Sequence, residues 1–384
     1  MNVVFLLDRF PQNGGVERVT ITLANALSHK GIAILIISKI GDKPELFDEL
    51  HTSIKYFGVD NCDYNGDYIA PIINSFNADV VINQGAYFET DDIIASIRRN
   101  CNVPIISVIH NEPDYFYKSA IGSIGIGLKG FIKYIFRPIY LARIRRMITD
   151  HYKNLEQYSE KIVLLSQSYH SEFLNWINLN KSDKIITIQN PIDLPYYDVA
   201  YSKSNSLIFV GRLDEKQKKV SRLIRIWSKI YSNFPNWVFK IYGDGPDCIN
   251  YKSDVVKLNI KNISFKGFTS NMAEIYHEAS ILVMASEFEG LPLVILEAMA
   301  HGCIPVIYNS FSAAEDIINN GENGLLIENG NEEQFVNALS ELMSDFIKRE
   351  ALSIGAIQSS KKYSIDCISN VWLEVLNSNG RFLN

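Results

Sequence analysis

The sequence predicts an α/β protein made of two doubly wound, Rossmann-like domains that face each other across a cleft. Three observations carry this. Short apolar runs alternate with amphipathic helical stretches along the whole chain, the rhythm of repeated βαβ units. The Pro-rich segment NPIDLP at Asn190–Pro195 interrupts that rhythm, which then starts again. The length of 384 residues exceeds what one ordinary core organises, so two cores are expected.

The elements follow in order. Val3–Leu7 reads as a buried strand, Gly14-Gly15 as the turn after it, and Glu17–His29 as the first helix. Ile32–Ser38, Val80–Asn83, Ile105–Ile109, Ile162–Ser166 and Ile185–Gln189 are further apolar runs too short for helices. Ser168 is placed to cap a following helix. After the break, strands are expected at Leu207–Val210, Val238–Tyr242, Ile263–Phe265, Ile281–Met284 and Ile304–Ile307, with helices near 220–233, 271–279, 292–301 and 332–347. This sets an N-terminal domain over 1–190 and a C-terminal domain over 191–365. A C-terminal helix within 366–384 is expected to cross back to the first domain.

Composition narrows the classes. Hydrophobic residues make up 47% and charged residues 21%, the balance of a soluble globular protein. A net charge of −6 gives no global attraction to nucleic acid, so anion binding must come from local patches. The five cysteines (Cys62, Cys101, Cys248, Cys303, Cys367) are odd in number and scattered, which argues against a disulfide framework or a zinc site and for a reducing compartment. The first apolar run is short and no basic residue precedes it, so no signal peptide is expected. No run approaches the ~20 apolar residues of a membrane span.

Four motifs carry chemistry. The strongest is EFEGLPLVILEAMAHGCIPVI, Glu287–Ile307, directly after a buried strand. Pro292 suits the first helical position, and Gly290 and Leu291 can present backbone N–H groups at a helix start, where oxyanions and sugar oxygens bind. Glu289 lies in the turn. Glu297 lies on the second turn of the helix and tilts back toward its start, so both carboxylates can serve one ligand. The second motif is GRLDEKQKK, Gly211–Lys219, at another strand end; Arg212 and the lysines can hold a diphosphate by charge-assisted hydrogen bonds. The third is GGVER, Gly14–Arg18, whose glycines let backbone approach a phosphate. The fourth is VIHNEPDYF, with His110 just past a strand, placed to donate to a hydroxyl or to move a proton.

Taken in order, GGVER, His110, Asn190-Pro191, GRL…K, GDGP (Gly243–Pro246) and the Glu-x7-Glu block resemble the retaining glycosyltransferases of the group 1 class, family 4, with the GT-B fold. The resemblance implies that Arg212 and Lys218 bind the diphosphate of a UDP- or GDP-linked sugar, with a backbone amide from Gly15. It implies that Glu289, Gly290 and Leu291 contact the donor sugar, that Glu297 holds the ribose, and that His110 approaches the sugar from the first domain. Glu289, His110, Arg212 and Lys218 are thereby the candidate catalytic residues. The family usually shows Lys-Gly where this chain has Lys218-Lys219, which leaves the phosphate ligand open between the two lysines. There is no Asp-x-Asp motif, and Arg212 with Lys218 can supply the positive charge, so no metal and no other cofactor is expected. The expected activity is transfer of a hexose or N-acetylhexosamine to a glycan or lipid-linked acceptor in bacterial cell-surface polysaccharide synthesis.

Residues 118–153 are basic. Lys129, Lys133, Arg137, Arg143, Arg145 and Arg146 stand among apolar Leu128, Ile132, Ile135 and Ile139, and Pro138 is expected to kink or restart the helix. On an acidic protein such a segment suits an anionic membrane surface, hence a cytoplasmic protein held peripherally at the inner face of the plasma membrane. The alternative is that its apolar face packs on the domain. The segment also contains GIGLKG, Gly125–Gly130, but without the preceding strand that a dinucleotide site needs. Asp91-Asp92 is read as a helix start. Competing functions are a nucleotide-sugar epimerase of the same fold, which the Glu-x7-Glu block opposes, and a non-catalytic nucleotide-sugar-binding partner, which the intact Arg212, Glu289 and Glu297 oppose. A phosphorylase would need a much longer chain.

Overall fold

The computed structural model describes all residues except 13, 125–132, 194–202 and 379–384. The chain divides into two compact units, Met1–Asp193 with Tyr363–Asn384, and Leu194–Lys362. Each is a parallel sheet wrapped by helices, the doubly wound class that the sequence predicts.

The first sheet comprises β1 (Asn2–Phe10), β2 (Ala33–Ile40), β3 (Lys55–Val59), β4 (Val80–Asn83), β5 (Ile105–Ile109), β6 (Lys161–Leu164) and β7 (Ile185–Thr187), in the order β3-β2-β1-β4-β5-β6-β7. The second comprises β8 (Ser204–Val210), β9 (Val238–Tyr242), β10 (Ile263–Gly267), β11 (Ala279–Met284), β12 (Ile304–Asn309) and β13 (Leu325–Glu328), in the order β10-β9-β8-β11-β12-β13. Every recorded pairing is parallel. Central strands are covered on both faces, which is why they read as unbroken apolar runs: Val3, Val4, Phe5 and Leu6 are fully buried, as are Ile281 and Ile304 to within 1%.

In each sheet the winding reverses at one place. The connection from β1 leads to β2 on one side while that from β4 leads to β5 on the other; β8 and β11 repeat the arrangement. Ligands of open parallel sheets bind beyond the strand C-termini at such a point.

Two strands escaped the sequence reading, β3 and β13, and both are edge strands. KYFGV alternates exposed and covered positions, and LLIE has only four residues, so neither gives a buried run. The helix expected over 332–347 is two helices, Glu332–Ser344 and Phe346–Ser360. Asp345 between them accepts from the Lys348 backbone N–H at 2.9 Å and starts the second. The final helix Ile365–Ser378 returns to the first unit. Ile192 N–H donates to Tyr363 O (2.9 Å), Ile365 N–H to Ile192 O (3.1 Å), and Lys30 Nζ to Asn370 Oδ1 (2.9 Å).

In the basic segment, the helix Arg137–Tyr158 starts afresh with Pro138 in its first turn. Ile148, Tyr152 and Leu155 anchor its later turns in the core. Tyr134, Ile135, Phe136 and Ile139 are exposed at 61%, 57%, 55% and 70%, so they do not pack on the domain. Lys133 donates to Ser123 Oγ and lies 4.9 Å from the Tyr140 ring, Arg146 lies 3.6 Å from Asp150, and Arg137 and Arg143 are exposed. Arg145 turns elsewhere, over the rings of Tyr117 and Trp176. Lys129, Leu128, Ile132 and the GIGLKG stretch lie outside the described residues; a helix, Tyr115–Gly122, and not a strand precedes them. Among the described residues no helix is long and apolar enough to cross a membrane.

Candidate active site

In the second unit the loop after β8 and the loop after β11 lie side by side because their strands are neighbours. The first loop is built stiffly. Asp214 Oδ1 accepts from Lys216 N–H and Asp214 O from Lys218 N–H, both at 2.8 Å. Glu215 accepts from the Ser221 hydroxyl (2.7 Å) and from the buried Tyr251 hydroxyl (2.9 Å). The GDGP turn presses against it: a Cβ on Gly243 would meet Gly211 O at 1.9 Å, and Gly243 has φ +125, open only to glycine. Leu213 N–H donates to Asp244 O at 2.9 Å across the same seam.

The two loops are then tied together. Glu287 N–H donates to Gln217 O (2.7 Å), Gln217 Nε2 to Phe288 O (3.2 Å), and Arg222 to Glu287 Oε2 (3.1 Å). At the centre Lys218 Nζ stands 2.5 Å from Glu289 Oε1, with side chains only 15% and 8% exposed. Lys218 has three N–H donors, so this pair fixes the ammonium and leaves donors for a phosphate. Lys219 does something different. It has φ 50 and ψ 41, the left-handed conformation that glycine favours, and starts the helix Val220–Ile230. It thus occupies the place of the glycine in the Lys-Gly pattern. Arg212 is exposed; its backbone O accepts from Asp214 N–H (3.0 Å), and its side chain makes no hydrogen bond or ion pair among the described residues.

The helix after β11 runs Leu293–Ala300, one residue later than expected: Pro292 stands at the cap position with ψ 111 instead of in the first turn. Gly290 and Leu291 are buried in the turn before it. Glu297 Oε2 accepts from the Tyr276 hydroxyl at 2.9 Å. Burial, with Glu297 beside it, raises the Tyr276 phenol well above its ordinary range, so it remains a donor. Lys203 Nζ bonds Tyr276 O (3.0 Å) and His301 O (2.5 Å), and burial lowers it to about 8.

In the first unit, Gly15 opens the helix Gly15–His29 after β1, and a Cβ there would meet nothing within 4 Å. His110 follows β5, and its Nε2 lies 2.6 Å from Oε1 of Gln84, the residue that follows β4. Burial lowers the imidazole to about 4, so it is neutral near pH 7. With the Gln84 oxygen as partner, Nε2 carries the proton and Nδ1 is an acceptor. His151 and Asn154 bond the Asp91 carboxylate (2.6 and 3.1 Å) at the start of helix Asp91–Asn100.

Sequence reasoning missed Tyr276, Gln84 and Gln217. Tyr276 sits in a helix where an aromatic reads as core, and Gln84 was simply the residue past a strand. Among the described residues no cluster of three His, Cys, Asp or Glu side chains could hold a metal ion.

Residues 13–195 match the glycosyltransferase family 4 description, and residues 198–359 match glycosyl transferases group 1. The two matches span almost the whole chain, with Gly15 and His110 inside the first and Lys218, Glu289 and Glu297 inside the second. The chain belongs to the group 1 glycosyltransferases. As such it transfers a glycosyl group, and its two units are the halves of a GT-B fold. This glycosyltransferase is 26% identical over 375 residues to an uncharacterised glycosyltransferase of Haemophilus influenzae, covering 97% of this chain and 99% of that one. It is 24% identical over 390 residues, 98% of each chain, to the Campylobacter jejuni GalNAc-α-(1→4)-GalNAc-α-(1→3)-diNAcBac-PP-undecaprenol α-1,4-N-acetyl-D-galactosaminyltransferase. Its fold matches that of Anabaena HepE in complex with UDP, with a TM-score of 0.77 at 17% identity, covering 98% of this chain and 100% of that one.

Proposed function

We propose that this glycosyltransferase acts with retention and without a metal, moving a hexose or N-acetylhexosamine from a UDP- or GDP-linked donor to a glycan or lipid-linked acceptor in bacterial cell-surface polysaccharide synthesis. One observation carries the reading: the Lys218–Glu289 pair joins the two loops at the β8/β11 reversal, beside exposed Arg212. A cation held in place, Lys218, and an exposed guanidinium, Arg212, can together take the role often given to a metal where a diphosphate leaves. The UDP bound by HepE and the polyprenyl-diphosphate glycan named for the Campylobacter relative support the substrate classes.

Glu289 is neutralised by Lys218, which suits a carboxylate that orients the sugar and not one that attacks it. The departing phosphate then accepts the proton of the acceptor hydroxyl on the same face, with no covalent enzyme intermediate. Glu297, steadied by Tyr276, holds the ribose hydroxyls. Neutral His110 accepts from a sugar hydroxyl at Nδ1. The exposed Tyr134, Ile135, Phe136 and Ile139 with Arg137 and Arg143 rest on an anionic membrane, keeping the enzyme cytoplasmic and peripheral.

The test is turnover with a panel of UDP- and GDP-sugars in EDTA. Activity that survives EDTA but drops in Arg212→Ala and Glu297→Ala is expected; near-normal turnover in both variants sinks the assignment. Flotation with phosphatidylserine vesicles at low salt checks the membrane face, and Ile139→Glu should weaken it.

A further inference from the structure

A cavity of about 320 Å³ lies in the first unit, away from every residue assigned above except Arg145. Its walls come from three helices. Tyr117 comes from Tyr115–Gly122, Arg145 from Arg137–Tyr158, and Glu172 and Trp176 from Tyr169–Ile177. The first of these helices follows β5, as His110 does, and the last follows β6. One side chain links the two places. Tyr152 borders the space around His110, and its ring is 6.4 Å from that of Trp176.

The lining has a mixed chemistry. Tyr117 and Trp176 meet edge to face, with centroids 5.8 Å apart at 67°, giving two apolar walls at a steep angle. Trp176 Nε1 donates to Asp114 Oδ1 at 2.7 Å, which locks the indole plane. The Arg145 guanidinium is 5.8 Å from each ring centroid. Behind the wall, fully buried Glu112 accepts from Lys118 Nζ at 2.8 Å, and its Oε1 has no hydrogen-bond partner among the described residues. Burial, with Glu172 and Asp114 nearby, raises Glu112 to about 7 against the pull of Lys118.

Each feature selects against a different ligand. Carboxylates of Asp114 and Glu172 disfavour phosphate and nucleotide anions. The polar rim disfavours an acyl chain. A pyranose satisfies all of it: its C–H faces lie on the aromatic walls, and its vicinal hydroxyls meet carboxylate acceptors and the guanidinium donor. The volume is at the lower end of the ~300–1,000 Å³ common for small-ligand sites.

We propose that this cavity is a subsite for one sugar residue of the acceptor glycan, a residue other than the one that receives the transferred sugar. The assignment rests on the glycosyltransferase reading, with His110 marking the reacting end. Trp176 is the platform, Asp114 its anchor and hydroxyl acceptor, and Arg145 the hydroxyl donor.

The experiment is saturation-transfer NMR on the full chain without donor, using the methyl α-glycosides of glucose, galactose, N-acetylglucosamine and N-acetylgalactosamine. At least one glycoside should receive saturation at its ring C–H protons. The signal should vanish in Trp176→Ala. It should also vanish in Asn175→Arg, which fills the cavity from an exposed position and avoids the folding risk of losing an aromatic. UDP binding by thermal shift should stay unchanged in both. No saturation from any of the four glycosides, or a signal that persists in Asn175→Arg, overturns the proposal. Arg212→Ala separates the two readings: it should lose UDP binding yet keep the glycoside signal.

Discussion

The two units use the same topology and furnish it in opposite ways. At the β8/β11 reversal the site is charged and locked: Lys218 against Glu289, Glu215 bonded by Ser221 and Tyr251, and Gly243 pressed on Gly211. At the β1/β4 reversal and the adjacent β5 end the furnishing is looser: a Cβ at Gly15 would meet nothing within 4 Å, uncharged His110 rests on Gln84, and the nearest ion pairs, Lys39 with Asp8 and Glu89, lie at the β1/β2 side. Under the proposed function the stiff site takes the departing diphosphate, which needs positive charge held in place before it leaves. A neutral, hydroxyl-rich acceptor needs shape and uncharged hydrogen bonds, so its site can be read from little besides geometry.

The contrast can be broken at several points, the largest effect first. Lys218→Ala removes a fixed cation and takes the ion-pair partner from a buried carboxylate. Turnover should fall on the order of 10²–10³-fold, and the chain should lose roughly 3–5 kcal/mol against urea. Adding Glu289→Gln should recover much of the stability and none of the rate; recovery of rate instead would mean that Lys218 is structural.

The glycines come next. Gly243→Ala must push a Cβ into Gly211 O and adopt φ +125, so a loss of ~3 kcal/mol is expected. Gly15→Ala opens on free space within a helix and should be neutral or stabilising by about 0.5–1 kcal/mol. Equal responses in denaturant titrations would erase the stiff-versus-open distinction.

Tyr276→Phe deletes only the hydroxyl that steadies Glu297. A hydrogen bond to a charged group is worth ~1.5–3 kcal/mol, so the KM for donor should rise roughly tenfold or more with kcat nearly intact. Steady-state kinetics checks this; a fall in kcat at constant KM would place Tyr276 in the chemical step.

The pH effects come last because each is spread over a window of pH, and the first unit carries two of opposite sign. His110 is lowered from 6.5 to about 4, so the folded chain prefers it neutral. Its contribution is present above 6.5 and is lost as pH falls through that window toward 4. Glu112 is raised from 4.5 to about 7, so its contribution is present below 4.5 and is lost as pH rises through 7. His110→Gln should flatten the acid limb of a stability–pH profile, and Glu112→Gln the limb between 4.5 and 7. An unchanged profile in either variant would show that the group titrates normally.

Legibility followed the same divide. Arg212, Glu289, Glu297 and the central strands stand out in the sequence because charge at a strand end and a covered strand both leave local marks. Edge strands β3 and β13 leave none, since half-covered or very short segments lack a period. Tyr276 and Gln84 were equally invisible: each acts through a residue distant in the chain, Glu297 or His110.

By itself, then, the sequence determined the class of fold, the break near Asn190 and the candidate charged groups Arg212, Lys218, Glu289 and Glu297, because periodicity and turn chemistry act over a few residues. Tertiary structure alone decided the strand order that sets β8 beside β11, the choice of Lys218 over Lys219 as the partner of Glu289, and the meeting of Tyr117, Arg145 and Trp176 around one cavity. Those depend on which distant segments pair and pack. Long-range burial decides that, and no local pattern records it.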